Sequence, residues 1–191
     1  MAKPGNLIYV IGPSGAGKDS LIDFARKQLP TEHPVVFAHR YITRERAGGE
    51  DHVPVSSQEF KLRQSKGCFA MDWEANGLQY GLGVELHQWM EAGLSVVVNG
   101  SRGYLGEALK RFKNLYPVLI DVDLGVLRQR LVDRGREDEP TINSRLERAR
   151  AYAEIPNIAY KIQNNGALDE AGHSLIDLIK QVHELEANPC R

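Results

Sequence analysis

The chain has 191 residues, 42% hydrophobic and 26% charged, and a formal net charge of −1. That length suits a single domain with a real core, and the near-neutral balance gives no whole-molecule attraction to nucleic acid or to an anionic membrane. Cys68 and Cys190 have neither metal-ligand spacing nor the look of a disulfide framework, so a reducing cytoplasmic compartment is expected.

In chain order, the first apolar run is LIYVI at 7–11. It is too short for a signal-peptide core or a membrane span and has the β-branched content of a buried strand. It runs directly into GPSGAGKDS (12–20), where Gly12, Gly17 and Lys18 meet the phosphate-loop pattern G-x-x-x-x-G-K-[ST] but Asp19 takes the place of the final hydroxyl residue. Leu21, Phe24, Ala25 and Gln28 follow at helical spacing, giving the strand–loop–helix context that the motif requires. PVVFAHRYI (34–42) reads as one strand, and it opens into HRYITRERAGGEDH, where Arg40, Arg44 and Arg46 suit a phosphorylated acceptor. Glu50, Asp51 and His52 close that stretch and are placed to orient sugar hydroxyls or a base; the plainer alternative is an exposed basic hairpin. In ANGLQYG (75–81), Tyr80 sits at a glycine turn, either within reach of a phosphate or in ordinary packing.

Further along, LSVVVNG (94–100) and YPVLIDVD (116–123) read as strands, with Asn99, Ser101 and Arg102 at the end of the first. GEALKRF and LGVLRQRLVDRG read as helices, the second stopped by Gly135. TINSRLERARAYAE predicts a helix with Thr141 as N-cap and Ile142, Leu146 and Ala149 on one stripe, and LDEAGHSLIDLIKQVHEL predicts a last helix. Arg128, Arg130, Arg134, Arg136, Arg145, Arg148 and Arg150 crowd into this part of the chain. Of these, Arg134, Arg136, Arg145 and Arg148 are candidates to stabilise a transferred phosphoryl group from a mobile lid. Strands alternating with helices predict an α/β fold, a parallel sheet covered by helices on both faces, with ligands beyond the carboxyl ends of the strands.

The chemistry expected of the loop follows from its residues. The loop runs through Gly12, Pro13, Ser14, Gly15, Ala16 and Gly17, whose glycines let backbone N–H groups turn around phosphate oxygens; the following helix points its positive end at them, and Lys18 reaches the β- and γ-phosphates. Asp19 admits two readings: a helix cap that repels phosphate, or a carboxylate oxygen for Mg²⁺ with Ser20 assisting through water. The surrounding context favours the working site.

The order GPSGAGKDSL, TRERAGGE, FAMDWEANGLQYG, RLVDRGRE and INSRLERA resembles the guanylate kinase family over roughly residues 7–165. The resemblance implies a P-loop kinase fold as one domain over 1–191, with a small acceptor-binding insert (about 36–90), an arginine-rich lid (about 134–148), and ATP with Mg²⁺ as the phosphoryl donor. The matches are the loop, Arg44, Glu50, Tyr80 with Gly81, Arg134 and Arg145. The departures are Asp19 at the metal position, Met71 where an acidic residue reads guanine, Arg40 where a small hydroxyl residue is usual, and VVNGSRGYL where an I-D-x-x-G segment is usual. Base reading is lost and cationic capacity gained, which suits a sugar carrying two phosphates. GKDSL, RYITR, GGEDH, GLQYG, VNGSR and RGRE are similar to the ribose 1,5-bisphosphate phosphokinase branch of the family. That implies transfer of the ATP γ-phosphoryl to the 1-phosphate of a phosphosugar, with Arg40, Arg44, Arg46, Glu50, Tyr80, Asn99, Ser101 and Arg102 on the acceptor. The expected partners are these small molecules and neither nucleic acid nor membrane; a homodimer is left open. The rival readings are a guanylate kinase with altered base recognition and a non-catalytic binding module of the same fold.

Overall fold

LIYVI becomes β1 (Leu7–Ile11), buried at every position, as a strand covered on both faces must be. The structure is a computed structural model that describes residues 3–45, 51–135, 137–150, 152, 155 and 158–185. In chain order the elements are β1, α1 (Lys18–Gln28), β2 (Val35–Phe37), β3 (Arg40–Ile42), β4 (His52–Pro54), α2 (Ser57–Ser65), β5 (Phe69–Ala75), β6 (Leu78–Gly83) and α3 (Glu85–Glu91). There follow β7 (Ser95–Asn99), α4 (Leu105–Arg111), β8 (Leu115–Asp121), α5 (Leu124–Asp133), α6 (Glu139–Arg150), β9 (Tyr160–Gln163) and α7 (Leu168–Glu184).

The main sheet has the order β2-β7-β1-β8-β9, and every pairing in it is parallel. Side chains alternate across it with the period of a strand. Ile8 and Val10 join one core with Leu21 and Ala25 of α1, Leu127 and Leu131 of α5, and Ile179 of α7. Leu7, Tyr9 and Ile11 join a second core with Leu86 of α3 and Leu105 and Ala108 of α4. The predicted α/β architecture is therefore present, with helices on both faces.

A second sheet, β4-β3-β6-β5, carries one parallel and two antiparallel pairings. It corrects the expectation of one strand over 34–42. The amide of Ala38 still donates to Val97 (3.0 Å), and beyond it the chain leaves the main sheet, so that Tyr41 pairs with Gly81 instead. The β5–β6 turn is Asn76-Gly77, both with positive φ (51° and 73°), the signature of a tight two-residue hairpin.

The Thr141 cap is also corrected. Helix α6 starts at Glu139, and the Asp138 carboxylate accepts from the Thr141 amide (3.0 Å), so Asp138 is the capping side chain and Thr141 lies one turn inside. Pro140 in that first turn has no amide to leave unsatisfied, which suits the earlier start. Ile142 and Ala149 are buried and Leu146 packs beside them, as the predicted stripe requires. Among the described residues no helix is long and apolar enough to cross a membrane.

Candidate active site

The glycine loop joins β1 to α1 at the carboxyl end of the central strand. Gly15 and Gly17 have φ of 95° and 88°, a left-handed conformation that side chains disfavour. Space is equally restrictive: a Cβ on Gly17 would meet Asn164 Nδ2 at 2.5 Å, and one on Gly15 would meet the Leu127 side chain at 2.8 Å. The Lys18 ammonium folds back over the loop and donates to the carbonyls of Gly12 (2.7 Å) and Pro13 (3.0 Å). Burial pushes its pKa down to about 8; neighbouring Asp19 opposes this, while Arg40 and Arg134 add to it. Arg134, at the end of α5, is thus close enough to the loop to act on Lys18 electrostatically.

Asp19 is not isolated. Its Oδ1 accepts from Arg40 Nη2 (2.9 Å) at the start of β3 and from Asn99 Nδ2 (2.7 Å) at the end of β7. The structure therefore joins three residues that the sequence reading assigns separately to metal and acceptor. Arg40 is held from another side as well: its guanidinium lies over the Tyr80 ring (5.8 Å), and that ring stacks on Trp73 with an interplanar angle of 2°. Its side chain is 15% exposed, against 44% for Asp19.

A cavity of about 250 Å³ opens beside this cluster, lined by Asp19, Asp23, Arg26, Arg40, Asp51 and Asn99 among others. Arg26 pairs with Asp51, whose other oxygen lies 3.2 Å from His39 Nδ1, and so ties α1 to the segment that leads into β4.

The donor set bears on whether this corner suits Mg²⁺. Asp19 Oδ2 has no partner among the described residues, and Asn99 Oδ1 is buried without a hydrogen bond. No group of three or more acidic, histidine or cysteine side chains gathers there among the described residues. Mg²⁺ binds through one or two carboxylates and completes its shell with water and phosphate oxygens, so a single accessible carboxylate oxygen beside the loop fits it.

The lid candidates separate. Arg145 Nη1 hydrogen-bonds Ser14 Oγ in the loop while Nη2 pairs with Glu137. Arg148, half a helical face away, instead donates to Asn76 Oδ1 (2.8 Å) at the tip of the β5–β6 hairpin. Ser20 is exposed in the first turn of α1. Arg44 is half-buried two residues past β3, and its carbonyl meets His52 Nε2 at 3.3 Å. Arg102 lies over the Tyr152 ring (4.7 Å). Arg46, Glu50 and Arg136 lie outside the described residues.

Two supports escape a sequence reading. Tyr9, inside the main sheet, exchanges hydrogen bonds with the Ser101 amide (2.9 Å) and carbonyl (3.1 Å), and burial raises its hydroxyl pKa far above the ordinary tyrosine value. It thereby fixes the turn that carries Ser101 and Arg102. Asn164, after β9, donates to the Ala16 carbonyl (2.7 Å) and braces the loop from beneath. Only the asparagine pair before Gly166 hints at it in the sequence.

No family model matches the chain. A protein named ribose 1,5-bisphosphate phosphokinase PhnN from Desulfomicrobium baculatum is 57% identical over 175 residues, which cover 91% of this chain and 93% of that one. One of the same name from Psychromonas ingrahamii is 46% identical over 179 residues, covering 92% and 90% of the two chains. Among solved structures, guanylate kinase from Anaplasma phagocytophilum superposes with a TM-score of 0.74 over 98% of this chain and 90% of that one, at 17% identity, a likeness of fold.

Proposed function

This chain belongs to the ribose 1,5-bisphosphate phosphokinase (PhnN) family, and from that premise we propose that it transfers the ATP γ-phosphoryl to the 1-phosphate of ribose 1,5-bisphosphate. The product is 5-phosphoribosyl 1-diphosphate, formed in the cytoplasm during phosphonate breakdown. The observation that carries the acceptor assignment is the Asp19–Arg40–Asn99 cluster beside the phosphate loop, which puts a guanidinium where a base-reading site has no use for one. Met71 supports it from the other side: it is fully buried in the core and offers a guanine edge no hydrogen bond.

In the reaction an oxygen of the 1-phosphate attacks Pγ, the bond from Pγ to the β–γ bridging oxygen breaks, and its electron pair leaves with ADP. The acceptor oxygen is already anionic, so no general base is needed, and positioning and charge neutralisation carry the catalysis. Residues 12–20 hold the triphosphate, and Lys18 exchanges the carbonyls of Gly12 and Pro13 for β- and γ-oxygens. Asp19 would hold Mg²⁺, which neutralises charge on the phosphate oxygens when bound. Arg134, Arg136, Arg145 and Arg148 act from a lid over about 134–148. Arg40, Arg44, Arg46 and Tyr80 take the phosphates of the acceptor in an insert built on the second sheet. Glu50 and Asn99, with Ser101 and Arg102, contact the ribose or the 1-phosphate, and the unpartnered Asn99 Oδ1 suits a ribose hydroxyl as donor.

The test is ADP release from Mg·ATP with ribose 1,5-bisphosphate and, in parallel, with GMP. Turnover on the bisphosphate alone is expected; turnover on GMP would overturn the acceptor assignment, and silence on both would restore the binding-module reading.

A further inference from the structure

Asp19 and Arg40 are two departures from the guanylate kinase pattern, and the structure makes them one ion pair at 2.9 Å. An arginine neutralised in this way is a poor phosphate ligand, because an incoming oxyanion must compete with a carboxylate already in place. The cavity beside it offers no compensation. Among the lining residues, the carboxylates Asp19, Asp23 and Asp51 outnumber the guanidiniums Arg26 and Arg40, and Arg26 is itself committed to Asp51. In this arrangement the cavity presents no net positive charge to a sugar bisphosphate.

What changes that sign is a cation on Asp19. The carboxylate has one oxygen without a partner among the described residues and is 44% exposed, so it can take a second cation without rebuilding the fold. A divalent ion there withdraws charge from the Arg40 pair, and the guanidinium, still stacked on Tyr80, becomes available to the acceptor. We infer that the Asp19–Arg40 pair couples the two substrates: Arg40 is masked toward the bisphosphate until Asp19 turns to the cation that accompanies ATP. Asn99, bonded to the same carboxylate oxygen, moves with the exchange and presents its amide to the sugar. By linkage, the bisphosphate must tighten metal-dependent ATP binding by the same factor. The inference rests on the acceptor assignment above.

Binding rather than turnover tests it. Ribose 1,5-bisphosphate is titrated calorimetrically into wild-type protein in EDTA, then in Mg²⁺ with a non-hydrolysable ATP analogue. The expected result is acceptor affinity about tenfold higher in the second condition, within the usual range of coupling between sites. In Asp19→Ser, affinity in EDTA should rise several-fold above wild type and the coupling should fall to less than about twofold. Arg40→Ser should also lose the coupling, but without the gain in EDTA. Both side chains line the cavity and neither belongs to an apolar core, so circular dichroism should show both variants folded. Coupling that persists in Asp19→Ser, weaker binding of that variant in EDTA, or wild-type affinity indifferent to the Mg·analogue would each overturn the inference while leaving the acceptor assignment standing. A bisphosphate that binds under none of these conditions would remove that assignment and the inference with it.

Discussion

Every residue of β1 and β7 is buried, whereas β3, β5 and β6 in the smaller sheet are largely half-buried. The main sheet is held by apolar burial on both faces, and the glycine loop at its end is braced by Asn164, Leu127 and Leu131. The smaller sheet shares the core on one of those faces through Ala70, Met71 and Leu82, but around the cleft it meets the rest through ion pairs and a ring contact: Asp19 to Arg40, Arg26 to Asp51, and Trp73 to Tyr104 at 5.7 Å. Partly exposed ion pairs contribute little to stability, on the order of 0–1 kcal/mol each. The difference separates two tasks. On the proposed assignment the donor side is preformed by packing around the loop, while the acceptor side meets the cleft through contacts that can be exchanged as charge arrives.

The contrast is broken most severely at Lys18. Lys18→Ala should lower turnover by about a thousandfold with the fold intact by circular dichroism, since on the proposed mechanism it removes the cation that meets the transferred group. A loss below tenfold would place the main catalytic charge elsewhere. Asp19→Ala, at the seam between the two regions, should lower kcat by about a hundredfold, and Asp19→Ser should recover part of that, because a hydroxyl can still serve a cation. Unchanged activity in the alanine variant would remove Asp19 from the metal site. Arg40→Ser belongs to the exchangeable side: it should raise KM for the bisphosphate about tenfold and leave KM for ATP nearly unchanged, the size expected for one charge-assisted phosphate contact. Equal effects on both substrates would undo the assignment.

The donor side should also be sharpened by pH. Lys18 has a pKa lowered to about 8, and phosphate favours its charged form, so binding of the ATP analogue takes up a proton above about pH 8. Affinity should be flat below that pH and then fall by up to about tenfold per unit, the limit for one linked proton. Calorimetry in two buffers of different ionisation heat checks the uptake; release of a proton instead would contradict the sign. Smallest of all, Tyr9→Phe should cost about 1 kcal/mol in stability through the lost Ser101 contacts and raise KM for the acceptor a few-fold. A change in ATP affinity alone would mean that the Ser101 turn does not serve the acceptor side.

The two regions were unequally legible in the sequence. Apolar β-branched runs announce buried strands, and the ends of β1, β7 and β8 lie within two residues of where LIYVI, LSVVVNG and YPVLIDVD predict them. The smaller sheet has no such signal. Its strands β3 and β4 are only three residues long, and β5 and β6 mix apolar with charged and small residues, so the stretch at 34–42 concealed a crossing from one sheet to the other. The site shows the same inequality. The loop and Lys18 are local in the chain and readable as a motif. Asp19, Arg40 and Asn99 are drawn from α1, β3 and β7, and residues 21 and 80 positions apart become hydrogen-bond partners only through the topology. Arg145 and Arg148, three apart on one helix, reach different partners because Ser14 and Asn76 flank α6 on two sides, which spacing along the helix cannot convey.

Asn164 also has a meaning in time. Because it holds the Ala16 carbonyl from the end of β9, two strands away from β1, and Leu127 and Leu131 back Gly15, the shape of the phosphate loop is set by the polypeptide and not by what it captures. Capture is then one encounter and not a folding event. The observed association rate of an ATP analogue should rise linearly with its concentration, and a plateau should appear only when Asn164 is replaced and the loop must be assembled each time a nucleotide arrives.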